Sequence, residues 1–197
     1  KLIPRLSLEK KLALVERYTL AGLFISTPNR AELKLSEAQY KAITHPDWPY
    51  IEEVISLTAA SGGQIIPYGS PLYPDRLKQI YDPPLVLFVR GVAEVLQREL
   101  FAIVGSRNAS VHGRDTAQNI SYQLTCIGVA VTSGLALGID ASAHKGALNA
   151  KGPTVAVIAT GIDQVYPTRH KDLVNKILEY GGVIVSEFLP TTPPKPG

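Results

Sequence analysis

Methionine is absent from the 197-residue chain, and cysteine occurs once, as Cys126. Without methionine, Lys1 is not an initiator, and the expectation is a chain trimmed from a longer polypeptide. A lone cysteine excludes an internal disulfide framework and favours a reducing, cytoplasmic setting. No apolar run approaches the roughly 20 residues of a membrane span. The basic start, Lys1 to Lys11, lacks the apolar core and cleavage pattern of a signal peptide. Excess charge is scarce too: 20 Lys+Arg against 17 Asp+Glu leave +3, too little to diagnose a polyanionic partner, so local placement has to decide. With 45% hydrophobic and 19% charged residues the composition is that of a globular chain and not of a disordered one. Its length suits one sizeable core plus a small accessory unit, since domains cluster near roughly 100 to 150 residues.

Nucleotide signatures are also missing. Gly105 is followed by Ser106, Arg107 and Asn108, which is not G-x-G-x-x-G, and no Walker lysine motif occurs. Bound NAD or ATP is disfavoured, and no cofactor is expected. Thr132-Ser133-Gly134 is not the G-x-S-x-G elbow of a hydrolase. Asp140 and His144 stand four apart on one short helix, where a capping carboxylate and a packed imidazole account for both; a Ser133, His144, Asp140 triad or a metal pair is the sharper alternative.

The chain is rich in helix and strand punctuation. Residues 1–60 read as a small helical N-terminal domain. Ser7 caps a segment with Leu8, Leu12, Val15 and Thr19 three or four apart, stopped by Gly22. Ser36 and Gln39 have capping-box spacing. Tyr50, Ile51, Val54, Ile55 and Thr58 mark a third helix, closed by Ser61-Gly62-Gly63. Residues 61–100 form a turn-rich connector whose run Leu85 to Val89 donates an edge strand to a neighbouring sheet.

From Phe101 onward strands and helices alternate, giving an α/β core over 101–197. Ala102 to Val104, Val129 to Val131, Thr154 to Ile158 and Val183 to Val185 are short apolar runs of the kind found in parallel sheets covered on both faces. The first helix between them has an inward stripe of Ala117, Ile120, Leu124 and Ile127. The second runs from about Ala141 to Asn149 with Asp140 as its cap, and the third turns Leu173, Val174, Ile177 and Leu178 inward. Right-handed crossovers place all strand C-terminal ends on one rim.

That rim carries Gly105-Ser106-Arg107-Asn108, Ser133-Gly134-Leu135, Thr160-Gly161 and Ser186-Glu187. Small residues leave backbone amides open to an anion, and the Arg107 guanidinium can fork onto two phosphate oxygens. The bland alternative is a strand-to-helix turn at Gly105 with a solvated arginine. Lys145 lies in a run of small residues from which it can reach toward the rim, or it is a solvated lysine on a helix face. Arg169, His170 and Lys171 open the next helix, where positive charge opposes the helix dipole and invites an anion. Tyr166 is a base-stacking candidate set against a packing role.

Read together, Ala102 to Arg107, Thr132 to Asp140, Ala143 to Leu148, Gly161 to Pro167 and Gly182 to Glu187 closely resemble the DNA-processing protein A family, also called DprA or Smf. Tyr73 to Leu77 and Asp82 to Gly91 are similar to that family's lead into its core. The resemblance covers about Ser61 to Pro194. It implies an extended Rossmann-like, mostly parallel sheet covered by helices, with a small all-α sterile-alpha-motif-like N-terminal domain. It further implies a non-enzymatic protein that binds and protects single-stranded DNA and loads RecA recombinase in natural transformation, as a homodimer through the Rossmann-like domain. Carried onto this sequence, Ser106, Arg107 and Lys145 are implied phosphate contacts, Ser133, Gly134 and Gly161 shape the pocket, and Arg169 and Lys171 are further DNA contacts.

Two departures stand out. Leu137 occupies a position where many members have arginine, and the chain stops at Gly197, before the family's arginine-rich segment and winged-helix tail. The rival expectation is a nucleotide phosphoribohydrolase-like enzyme on a related fold, although Gly181-Gly182 is followed by Val183-Ile184 and not by that group's P-G-G-x-G-T-x-x-E motif. A recruiting role for the N-terminal helical unit is the third.

Overall fold

The computed structural model describes residues 6–7, 9–14, 17, 29–31 and 33–194. Leu8, Val15, Thr19, Gly22 and 195–197 lie outside the described residues. The chain divides into two compact units, 1–53 with 80–83, and 54–79 with 84–197.

In the first unit Ser7 caps as its spacing predicts, its hydroxyl accepting from the Lys10 amide at 3.4 Å. Helix α1, Glu37–Thr44, carries the full capping box: Ser36 Oγ accepts from the Gln39 amide at 3.2 Å, and Gln39 Oε1 accepts from the Ser36 amide at 3.0 Å. Leu6, Leu14, Leu35 and Ile43 make this unit's core. Helix α2, Trp48–Ala60, spans the division and ends at Gly62, whose φ of +71° suits a residue without Cβ.

The second unit is built on a six-stranded sheet: β1 (Gly63–Pro67), β2 (Val86–Gly91), β3 (Leu100–Ala102), β4 (Ala130–Ser133), β5 (Thr154–Ile158) and β6 (Val183–Ser186), in the order β1-β2-β6-β5-β4-β3. Strands β3 to β6 are parallel, whereas β2 runs antiparallel to both β6 and β1. The helices are α3 (Asp75–Lys78), α4 (Val111–Cys126), α5 (Ile139–Asn149) and α6 (Lys171–Glu179), with 3-10 turns at Ala93–Gln97 and Thr168–His170.

Both sheet faces are buried, as an α/β sheet requires. Along β6, Ile184 belongs to a cluster with Phe88, Ile158 and Ile177, while its neighbours Val183 and Val185 belong to the opposite cluster with Leu87, Val89 and Val155. Side chains on successive strand residues point to opposite faces, so this split is the expected signature of a doubly covered strand.

Four sequence expectations shift. The Val86–Gly91 strand lies inside the sheet and not on its margin, because Gly63–Pro67 pairs on its outer side and takes the edge. Its Ile66 is buried, and Pro67 is tolerated at the end of an edge strand. The first core strand begins two residues early, at Leu100, although the Ile103 amide still reaches the Thr132 carbonyl at 3.0 Å. On α4, Ala117 is buried, but Ile120 and Ile127 face outward. The face that packs is the small one: Ser121 Oγ donates to the Ala143 carbonyl at 2.5 Å, and Gly146 of α5 lies against Gln118 and Ser121. A stripe of isoleucines would hold the two helices too far apart for that contact. Finally, Gly138 and not Asp140 stands at the N-cap of α5, without a side-chain cap bond.

A Cβ at Gly146 would lie 2.7 Å from Ser121 Cβ and closer still to the Gln118 carbonyl oxygen. Gly146→Ala is expected to cost about 1–3 kcal/mol by forcing the helices apart. Urea unfolding measures it, and an unchanged midpoint would mean that the α4–α5 contact is not tight.

Candidate functional site

The C-terminal ends of β3 to β6 meet on one rim. At the first turn Ser106 Oγ accepts from the Asn108 amide at 3.1 Å, and Ser110 caps α4 by accepting from the Gly113 amide at 3.1 Å. This turn is fastened to the start of α5. The Ile139 amide donates to the Ser106 carbonyl at 3.2 Å, and a Cβ on Gly105 would meet Ile139 Cγ1 at 2.7 Å. Gly138, at φ +75°, sits where a Cβ would strike the Ser106 carbonyl oxygen and lie 2.8 Å from that of Arg107. Only glycine meets both demands.

Arg107 and Lys145 are exposed, and neither side chain has a hydrogen-bond or ion-pair partner among the described residues. Lys145 lies seven residues along from Gly138, about 10 Å at the helical rise per residue. One unpaired cation therefore stands on the first turn, and the other on the helix whose start is fastened to that turn.

The β4 turn is built by Asp140. Its buried carboxylate accepts the Gly134 amide at 3.1 Å and the Ala136 amide at 3.3 Å, folding 133–138 over the start of α5. Gly134 is exposed, but its N–H is thereby engaged. Ser133 is buried, and its hydroxyl donates to the Ile103 carbonyl at 2.6 Å, lashing β4 to β3. Gly161 is buried, its amide donating to the Thr192 carbonyl at 2.9 Å; a Cβ there would meet the Thr191 nitrogen at 2.7 Å. Arg169, in the 3-10 turn, and Lys171, at the start of α6, are exposed. Tyr166 is 55% exposed, which leaves a ring face open for stacking. Leu137 is half-buried.

The catalytic triad is not assembled, since Ser133, Asp140 and His144 each bond to other groups. His144 Nδ1 lies 2.9 Å from Thr154 Oγ1, which donates to the Val131 carbonyl at 2.6 Å. Thr154 thus accepts from His144, which fixes the proton on Nδ1 and leaves Nε2 bare and without a partner among the described residues. Among the described residues no group of three or more His, Cys, Asp or Glu side chains is arranged to hold a metal.

His170 is the residue whose part the sequence concealed. Read there as one of a basic cluster, it is buried, and its Nδ1 donates to the Leu135 carbonyl at 2.9 Å, pinning the 3-10 turn to the β4 turn. A histidine flanked by two exposed cations gives no sign in sequence of such a long-range bond. Tyr73 is likewise structural: its hydroxyl donates to the Pro84 carbonyl at 2.7 Å, and burial, with the charge of exposed Glu187 second, pushes its pKa up to about 12.

The family model described as DNA recombination-mediator protein A matches residues 64–197, from β1 through the whole rim. The chain belongs to that family. Protein Smf of Borreliella burgdorferi is 32% identical over 182 residues, 92% of this chain and 58% of that protein. The solved structure of DNA processing protein A from Streptococcus pneumoniae superposes with a TM-score of 0.77 at 27% identity, covering 94% of this chain and 64% of that one. DNA processing protein A from Helicobacter pylori, which binds single-stranded DNA in a unique mode, superposes at 0.60 with 26% identity over 68% of this chain and 60% of its own. The chain thus spans somewhat under two thirds of the length of these relatives. Among the described residues no helix is long and apolar enough to cross a membrane.

Burial, and secondarily the nearby His170, lowers the His144 pKa from 6.5 to about 3. The unfolded chain therefore binds a proton that the folded chain refuses, and the stability present above pH 6.5 is lost as pH falls toward 3. The unfolding free energy read from urea titrations between pH 6.5 and 4 is expected to fall by about 1.4 kcal/mol per pH unit from this group. His144→Asn should flatten that slope whatever it does to absolute stability; an equally steep slope in the variant would assign the effect to other groups.

Proposed function

We propose that the chain binds single-stranded DNA along the strand-end rim, with Arg107 and Lys145 neutralising phosphates and Ser106 supporting the first turn. The observation that carries this reading is the pair of exposed, unpartnered cations, Arg107 on the first turn and Lys145 on helix α5, whose start is fixed to that turn by Gly138 and Ile139. A backbone-tracking groove needs fixed positive groups more than it needs base-specific ones. Ser133, Gly134 and Gly161 then act by shaping the rim. Arg169, Lys171 and the open ring of Tyr166 extend the contact along the strand.

In this reading the protein acts in the cytoplasm in DNA recombination and natural transformation, protecting incoming strands and loading RecA recombinase, as a homodimer through its Rossmann-like domain. Residues 1–60 supply a sterile-alpha-motif-like accessory domain, 61–100 a connector and 101–197 the binding core. Family membership supports the recombination role, and the single-stranded DNA binding of the Helicobacter pylori relative supports the ligand.

Two experiments test the reading. The logarithm of affinity for a single-stranded oligonucleotide should fall with the logarithm of salt by about 0.7 per phosphate contact. Arg107→Ala and Lys145→Ala should each lower that slope by about one contact; unchanged slopes and affinities would remove these residues from the interface. Incubation with nucleoside monophosphates should release no free base. Release that disappears in Glu187→Gln would instead establish the phosphoribohydrolase reading.

A further inference from the structure

The edge of the sheet opposite the rim, where β3, β4 and β5 begin, holds a cavity of about 180 Å³, room for more than a water molecule. Arg98, Thr125, Val129, Lys151, Gly152 and Pro153 help to line it, and among the described residues no Asp or Glu does.

Lys151 sets this cavity apart. Helices α4, α5 and α6 all close in the same way: the amides of Gly128, Lys151 and Gly181 donate to the carbonyls three residues back, at 3.0, 2.9 and 3.1 Å, and the next amide donates to the carbonyl five back. This closure takes positive φ, +87°, +56° and +72° in turn. Two of the ends use glycine, which adopts that conformation freely, whereas α5 places a lysine there. Backbone strain that a glycine would relieve points to a task for the side chain. Compensation of the helix dipole does not account for it, since α4 also lacks a basic residue in its last turn and closes on glycine.

Side chains are the groups left open around the cavity. The amides of Gly128, Val129, Ala130 and Gly152 all donate to backbone carbonyls. Arg98 and Lys151 are exposed, and neither side chain has a hydrogen-bond or ion-pair partner among the described residues. Glu99, the acidic neighbour of Arg98, is engaged by Arg76, whose Nη2 donates to both carboxylate oxygens at 2.7 Å. The Thr125 hydroxyl is buried without a partner among the described residues, and its methyl is seated against Gly152, where a Cβ would strike Thr125 Cγ2. A buried hydroxyl left unpaired is costly and asks for a ligand.

We propose that this cavity is a second anion site, taking a phosphate group between the Arg98 guanidinium and the Lys151 ammonium, with the Thr125 hydroxyl as a further donor. The C-terminal ends of α4 and α5 border the cavity, and their dipoles together amount to about one negative charge against the two positive ones. The balance still attracts an anion. A doubly charged tetrahedral group serves donors from three elements better than a planar carboxylate does. The phosphate belongs to a small phosphorylated molecule or to a nucleic-acid backbone, and the site does not rest on the single-stranded DNA reading of the rim.

The test titrates inorganic phosphate into the chain at constant ionic strength, with chloride as control, and follows backbone amide shifts by NMR. Saturable shifts are expected at Gly128, Lys151 and Gly152, and they should persist in Arg107→Ala. Arg98→Gln and Lys151→Gly should each weaken phosphate binding about tenfold, the loss of one charge-assisted bond. Thr125→Val should weaken it severalfold. Neither Lys151→Gly nor Thr125→Val should lower the urea midpoint of the free chain, because one relieves a strained φ and the other removes an unpaired hydroxyl. Shifts no larger than those with chloride, shifts lost in Arg107→Ala, or undiminished phosphate affinity in Lys151→Gly overturn the site. A single-stranded oligonucleotide that displaces phosphate from these amides assigns the ligand to a nucleic-acid backbone, and one that leaves it in place assigns the ligand to a small molecule; both results support the site.

Discussion

The rim depends on one contact: the backbone of Gly138 and Ile139 pressed against the carbonyls of Ser106 and Arg107. It joins a strand-to-helix turn at the sheet edge to the next crossover, so that cations from two separate βα units keep a fixed spacing. The approach is possible because residue 138 lacks a Cβ and tolerates positive φ. Asp140 completes the joint from within, drawing the Gly134 and Ala136 amides over the helix start. The two backbone donors satisfy a side chain whose burial without partners would be costly.

Around that joint, neutral hydrogen bonds stitch the strand ends together. Ser133 ties β4 to β3, His170 ties the 3-10 turn to the β4 turn, and Ser186 Oγ donates to the Thr160 carbonyl at 2.6 Å. The polar side chains of the rim thus divide by burial. Buried ones are spent on the backbone, while Arg107 and Lys145, without a partner among the described residues, are left to solvent or to an anion. Such a rim presents positive charge on a rigid frame, an arrangement that can receive an anion.

Much of this was legible in the sequence. Continuous apolar runs bounded by glycine gave the parallel core, with Thr154–Ile158 matching to the residue, because four of its five residues are buried and the run is too short for a buried helix. The Ser36 capping box was equally readable, being a local bond between two side chains and two amides. What stayed hidden was set by distant partners. Ile120 and Ile127 fit a helical stripe, yet the contact with Gly146 selects the small face of α4. Asp140 has a capper's composition but is claimed by amides four and six residues back. Gly161 reads as an open rim glycine, and its packing against 189–192 depends on a segment almost thirty residues away. The pairing of Gly63–Pro67 outside β2 was masked by turn residues, because edge strands need less apolar pattern than central ones.

The central claim is that a phosphate polymer, and not a single nucleotide, occupies the rim. A titration of single-stranded DNA, duplex DNA and a mononucleotide at two salt concentrations tests it directly. The account predicts tight, strongly salt-dependent binding of the single strand, weaker binding of the duplex, and mononucleotide affinity too low to compete. Mononucleotide binding as tight as that of the single strand, with little dependence on salt, would contradict it.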